Sequence, residues 1–167
     1  MRTIAVMRHA KAEQAGPTDF ERPLAERGHH DAAATGSWLS GSGFEPDYAL
    51  VSAALRTRET WASVAAGAGW ALDADFDRSL YAAGPESAFD LVREIADDVH
   101  SLLVIGHNPT MASVAQLLDD GDADAALTGE LFTGYPTSAV AVFEYDGSWA
   151  DLGEGSARLV AFHVGRA

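Results

Sequence analysis

Thr3-Ile4-Ala5-Val6-Met7-Arg8-His9 is a short apolar run, rich in β-branched residues, that stops abruptly at two basic side chains. Its length and branching read as a buried strand, and the fold is decided by what repeats its pattern. Tyr48 to Ser52 is a second such strand, with Arg56 four residues beyond its end. Ser101 to Ile105 is a third, stopping at Gly106-His107-Asn108-Pro109. Helical stretches lie between them. Leu24 to Leu39 places Ala32, Ala33, Gly36 and Leu39 at helical spacing and closes at Gly41-Ser42-Gly43. Ala54 to Ala66 is a second helix, ended by Gly67 to Gly69. Pro85 opens a third that runs to about Val99 on a face of Phe89, Val92, Ala96 and Val99, with Ile95 at its edge. Pro109 starts a fourth, to about Leu118.

The remaining segments complete the outline. Residues 11–23 read as a loop, 71–77 as a short strand or extended segment, and the Asp-, Gly- and Thr-rich stretch 119–137 as irregular. Ser138 to Tyr145 and Ala157 to Val164 are strands with no helix between them. Strands alternating with helices imply a largely parallel sheet with helices on both faces. The last two strands, close in sequence, predict at least one antiparallel member at or near an edge.

The 167 residues suit one domain, taken as residues 1–167. With 11 Lys+Arg against 25 Asp+Glu the net charge is −14, which argues against nucleic acid and anionic membranes as partners. At long range it also repels phosphorylated substrates. No cysteine is present, which excludes disulfides, thiolate metal sites and a cysteine nucleophile. The apolar start ends at Arg8, too soon for a signal peptide, so the chain reads as cytoplasmic.

In an open parallel sheet, ligands sit at the carboxyl ends of the strands. Three strand ends here deliver Arg8, His9, Arg56 and His107 to one rim. Arginines offer planar paired donors to phosphate oxygens, and a neutral imidazole beside them can attack phosphorus. No divalent-metal motif accompanies them, and no cofactor is called for.

These residues also resemble a known family. Met7-Arg8-His9-Ala10-Lys11 is similar to the signature of the histidine phosphatase superfamily, with Ala10 where most members carry Gly. Arg22-Pro23-Leu24-Ala25-Glu26-Arg27-Gly28 resembles its lead into the first helix. Ser52-Ala53-Ala54-Leu55-Arg56-Thr57-Arg58-Glu59-Thr60 resembles its second arginine motif. Gly106-His107-Asn108-Pro109 resembles its second histidine motif, and Pro136-Thr137-Ser138-Ala139 its late strand entry. The order matches the family over nearly the whole chain. The short length, Ala10 and Asn108-Pro109 look like the SixA-type phosphohistidine phosphatases. The resemblance implies a three-layer α/β/α sandwich, His9 as the phospho-accepting nucleophile, and Arg8, Arg56 and His107 around the phosphate.

Lys11, Ser52, Asn108 and Thr137 are further expected substrate-binding residues, and Glu86 is a candidate proton donor, with Asp19 and Glu21 as others. Many relatives protonate an oxygen leaving group; a nitrogen leaving group depends less on an acid. His9 is expected to be neutral, from its reference pKa of about 6.5 and the neighbouring Arg8. Arg58, two residues past Arg56, should point away from the pocket. His29-His30 diverge on a helix and make no metal pair. The Asp119–Asp124 run lacks the Gly and Glu of a calcium loop, and Gly41 and Gly43 do not continue into a dinucleotide fingerprint. The expectation is therefore a metal-independent phosphatase acting on phosphohistidine in a protein or on a small phosphate ester. The alternatives are a non-catalytic phosphate- or phosphohistidine-binding module, or a phosphomutase, which the short chain disfavours.

Overall fold

The computed structural model describes residues 1–167. Its strands are β1 (Arg2–Arg8), β2 (Tyr48–Ser52), β3 (Asp75–Asp77), β4 (Ser101–Gly106), β5 (Ala139–Tyr145) and β6 (Arg158–Val164). Its helices are α1 (Glu26–Gly41), α2 (Leu55–Ala68), α3 (Arg78–Tyr81), α4 (Pro85–Arg93), α5 (Thr110–Leu118) and α6 (Ala125–Thr133). The strands form one sheet in the order β3-β2-β4-β1-β5-β6. β3, β2, β4 and β1 run parallel; β5 is antiparallel to β1, and the edge strand β6 is antiparallel to β5.

β1 explains the layering. Successive side chains of a strand point to opposite faces. Ile4 and Val6 enter a core with Phe89 and Val92 of α4, Met111 and Val114 of α5 and Leu131 of α6. Ala5 and Met7 enter a second core with Ala32 and Leu39 of α1 and Trp61 and Val64 of α2. The sheet is thus covered on both faces, the three-layer α/β/α arrangement expected. α1 and α2 approach backbone to backbone: a Cβ on Gly36 would stand 2.0 Å from the Val64 carbonyl oxygen, and one on Gly67 would stand 2.2 Å from that of Ala33.

β1 and β4 are neighbours at the centre, yet β1 leads to α1 on one face and β4 to α5 on the other. The connections diverge and leave a crevice at the carboxyl ends of these two strands, the switch point where open α/β sheets bind ligands. Because β5 runs the other way, the turn that precedes it, Gly134 to Ser138, reaches the same rim.

Several boundaries differ from expectation. Residues 119–137 are not irregular throughout, because they contain α6. Asp124 caps it by accepting from the Leu127 amide at 2.8 Å, and Leu131 is fully buried. α4 stops at Arg93 rather than near Val99. Carboxylates at Asp97-Asp98 oppose the negative end of a helix, and Arg2 instead takes the Asp97 carbonyl. α1 starts at Glu26, because Leu24 is held in a bridge to Ala12. The short helix α3 follows β3 directly, capped by Asp77, which accepts from the Ser79 amide at 2.7 Å. No helix is long and apolar enough to cross a membrane.

Candidate active site

His9 continues the β1 ladder past its end. Its amide donates to the Gly106 carbonyl at 3.0 Å, and its own carbonyl accepts from Ser138 at 3.1 Å. The residue is therefore pinned between β4 and the start of β5, and it is 8% exposed. Its ring Nδ1 lies 2.6 Å from the Ala10 carbonyl oxygen. A carbonyl only accepts, so Nδ1 carries the hydrogen and the lone pair of the neutral ring is on Nε2. Burial pulls the His9 pKa down to about 4, with Arg56, Arg8 and Arg22 adding to the effect and the Ala10 hydrogen bond opposing it. The neutrality expected from the arginine neighbour is thus set first by desolvation.

His107 follows β4, with its ring centroid 5.4 Å from that of His9. Its Nε2 is 2.7 Å from the Ser52 hydroxyl at the end of β2. With Ser52 donating, the hydrogen of the neutral ring resides on Nδ1, which is buried and meets no protein acceptor. Burial again dominates its depressed pKa, about 3, followed by repulsion from His9 and Arg56.

Arg56 opens α2, and its motif explains its placement. Thr57 ties the helix start to the Ser52 carbonyl at 2.6 Å, and Glu59 accepts from the Leu24 amide at 2.8 Å. Thr60 accepts from the Ala10 amide at 3.1 Å, which fixes the helix against the turn after His9. Arg56 itself is 6% exposed. It donates to the Asp19 carbonyl at 2.8 Å and to the Asp19 carboxylate at 3.2 Å, while its Nε has no partner. Arg58 points elsewhere as expected, over the Phe76 ring at 4.3 Å.

Arg8 donates to the Tyr135 carbonyl at 3.2 Å, and its buried Nε is also unpartnered. Asn108 donates to the same carbonyl at 2.8 Å and accepts from the Ala112 amide at 3.2 Å. Ser52 and Asn108 are therefore engaged by the protein; they orient His107 and the Tyr135 turn. Lys11 is exposed, and its side chain makes no hydrogen bond or ion pair. Thr137 is half-buried and offers its carbonyl to Arg166 at 2.9 Å. Glu86 is exposed in the first turn of α4 and shares no hydrogen bond with any of these residues.

Two partners were not singled out from the sequence. Tyr81, at the end of α3, donates to the Asp19 carboxylate at 2.6 Å and sets its ring edge-on to His107 at 5.4 Å. Tyr135 supplies the carbonyl shared by Arg8 and Asn108, and its hydroxyl donates to the Val6 carbonyl. Asp19, one of the candidate proton donors, is held down to about 2 by the Tyr81 hydrogen bond first, opposed by desolvation and helped by Arg22 and Arg56. It is a carboxylate at neutral pH. Chemically, the rim joins one free imidazole nitrogen to guanidinium and imidazole donors that the protein leaves unused.

An α/β protein with two neutral histidines and two arginines at its switch point defines the class of fold-and-site, and comparison with known proteins narrows it. Residues 4–81, which include Arg8, His9 and Arg56, match the model of the histidine phosphatase superfamily (branch 1). An uncharacterized protein of Mycobacterium tuberculosis is 39% identical over 162 residues, covering 96% of this chain and 100% of that protein. A candidate phosphohistidine phosphatase SixA from Nakamurella multipartitia is 31% identical with a TM-score of 0.87, covering 99% of this chain and 97% of the other. One from Agrobacterium tumefaciens is 29% identical with a TM-score of 0.80, covering 97% of each chain. The chain belongs to the histidine phosphatase superfamily, in its SixA-like group.

Proposed function

We propose that this protein hydrolyses phosphoryl groups without a metal ion, through a phosphohistidine formed on His9, and that phosphohistidine in a protein is its substrate class. The observation that carries this reading is the free Nε2 of a buried, neutral His9 beside unpartnered donors on Arg8, Arg56 and His107. The Nε2 lone pair attacks phosphorus, and the bond from phosphorus to the leaving group breaks. The electron pair departs with the leaving group, which takes up a proton from solvent. Water then attacks phosphorus, the bond to Nε2 breaks, and phosphate and free imidazole are released. Arg8, Arg56 and the Nδ1–H of His107 neutralise the equatorial oxygens. Lys11 and Thr137 lie at the edge of the pocket in this reading.

A nitrogen leaving group supports the choice of substrate. It makes the smallest demand on an acid, and the only carboxylate hydrogen-bonded within the site, Asp19, is ionised. Solved relatives described as candidate phosphohistidine phosphatases favour the same class. Small phosphate esters with good leaving groups would follow the same route.

The test is rapid-quench turnover of radiolabelled phosphoramidate by wild type and His9→Ala, with and without chelator. Wild type should trap acid-labile phosphate on His9 and be indifferent to chelator, and His9→Ala should do neither chemistry. Full turnover by His9→Ala would end the mechanism. Loss of activity with chelator, restored by a metal, would end the metal-free reading.

A further inference from the structure

A cavity of about 700 Å³ opens directly beside Arg8, between α6 and the end of β6. Phe162, Val164, Tyr135 and Pro136 give it an apolar wall, and Glu130 and Thr133 of α6 form the opposite lip. Arg8 belongs to both spaces, so whatever sits here adjoins the phosphoryl group. Neither the phosphoryl pocket nor the proposed chemistry uses it.

We propose that this cavity is a docking subsite for the phosphorylated protein: it takes an apolar side chain neighbouring the phosphorylated residue and sets a basic residue of that partner against Glu130. The proposal rests on the phosphatase reading and specifies its substrate.

Three observations select this occupant. First, the wall is rigid and apolar. Phe162 meets Tyr135 edge to face at 5.6 Å, and Tyr135 is in turn tied to β1 through Val6, so the pocket is pre-formed. Second, Glu130 is an exposed carboxylate with no ion pair, although it shares the cavity with Arg8. No lysine or arginine occurs between Arg93 and Arg158, so α5, α6 and β5 supply nothing to neutralise it. The basic residues around His9, Arg8, Arg22 and Arg56, come from the first half of the chain, and Arg166 is taken up by the Thr137 and Gly165 carbonyls and by Asp31. The phosphoryl pocket therefore has a cationic side and an anionic side. A partner that presents a cation next to its phosphoryl group matches that polarity, and an acidic partner is repelled by it and by the overall charge of −14. Third, no element closes over the cavity, and Phe132, next to the lip residues in sequence, is 53% exposed. An open apolar shelf with an exposed aromatic neighbour suits a macromolecular surface better than an enclosed small ester.

Two peptides, each phosphorylated on a single histidine, provide the probe. One is flanked by leucine and lysine, the other by serine and glutamate. Phosphoramidate, too small to reach the cavity, reads the phosphoryl pocket separately. Wild type should prefer the leucine-lysine peptide at least about tenfold in kcat/KM. Glu130→Lys should shrink that preference to within about threefold, and Thr133→Trp, which fills the cavity from its exposed lip, should lower turnover of the same peptide several-fold. Neither change should lower phosphoramidate turnover. Equal use of both peptides by wild type, or a preference untouched by both substitutions, would overturn the subsite. Hydrolysis of phosphoramidate and para-nitrophenyl phosphate with neither peptide cleaved would overturn the protein partner while leaving the phosphatase reading intact. Phosphoramidate turnover surviving His9→Ala would instead overturn that reading.

Discussion

On one side of Arg56 stand His9 and His107, sunk between β1 and β4. On the other stands Asp19, its side chain 56% exposed in the loop that leads to α1. All three have pKa values below their ordinary range, but for opposite reasons. The histidines lose their charge because water is excluded, and the arginines only add to that. Asp19 keeps its charge because Tyr81, Arg22 and Arg56 donate to it. One guanidinium thus stands between two neutral rings and one fixed anion. Desolvation keeps the two rings neutral, while hydrogen bonding to Asp19 holds Arg56 in place.

The largest test of this division is Arg56→Ala. It removes the shared group, and kcat should fall by at least about 10²-fold. An unchanged kcat in steady-state assays would show that the two sides are not joined through Arg56.

Acid should separate the two sides next. A histidine whose folded pKa lies below its unfolded value stabilises the fold fully above about pH 6.5, and this is lost as pH falls toward the folded pKa. For His9 and His107 that window runs from about 6.5 down to about 4 and about 3. The shifts correspond to roughly 3 kcal/mol for His9 and roughly 5 kcal/mol for His107 across it. His107→Gln can keep a hydrogen bond to Ser52 without titrating, so urea unfolding should show a shallower loss of stability between pH 6.5 and 4. Identical slopes would mean that His107 is not held neutral. The kcat/KM of wild type should stay level down to about pH 5 and then fall as His9 protonates.

Smaller effects belong to the exposed side. Asp19→Asn removes a carboxylate that competes with phosphate for Arg56, and the inhibition constant for inorganic phosphate should drop up to about fivefold. Weaker phosphate binding would show that Asp19 orients Arg56 more than it competes. Tyr81→Phe deletes the hydrogen bond that most depresses Asp19. An NMR titration should find that carboxylate moved up from about 2, with kcat/KM changed by no more than about twofold. A large drop in kcat would move Tyr81 into the chemistry.

Much of this was legible beforehand. β1, β2 and β4 announced themselves as apolar runs ending at Arg8-His9, Ser52 and Gly106-His107, and the switch-point rule then placed four side chains on one rim. α6 was hidden because its capping residue Asp124 sits inside an acidic, turn-like run. Tyr81 and Tyr135 were hidden because nothing local marks them: one ends a four-residue helix, and the other acts through its backbone carbonyl. Ser52 and Asn108, expected to bind substrate, hydrogen-bond His107 and the Tyr135 carbonyl, which no local pattern indicates.

Sequence alone determined the alternation of strands and helices, the identity of the rim residues and the excess of acid, because these follow from local periodicity and from where charges interrupt apolar runs. Only tertiary structure decided which histidine nitrogen is free, how far burial lowers each pKa, that Asp19 reaches Arg56, and that an uncompensated carboxylate faces an apolar cavity beside Arg8. Those properties depend on distances between segments far apart in the chain and on the exclusion of water, and neither is written in any one stretch of it.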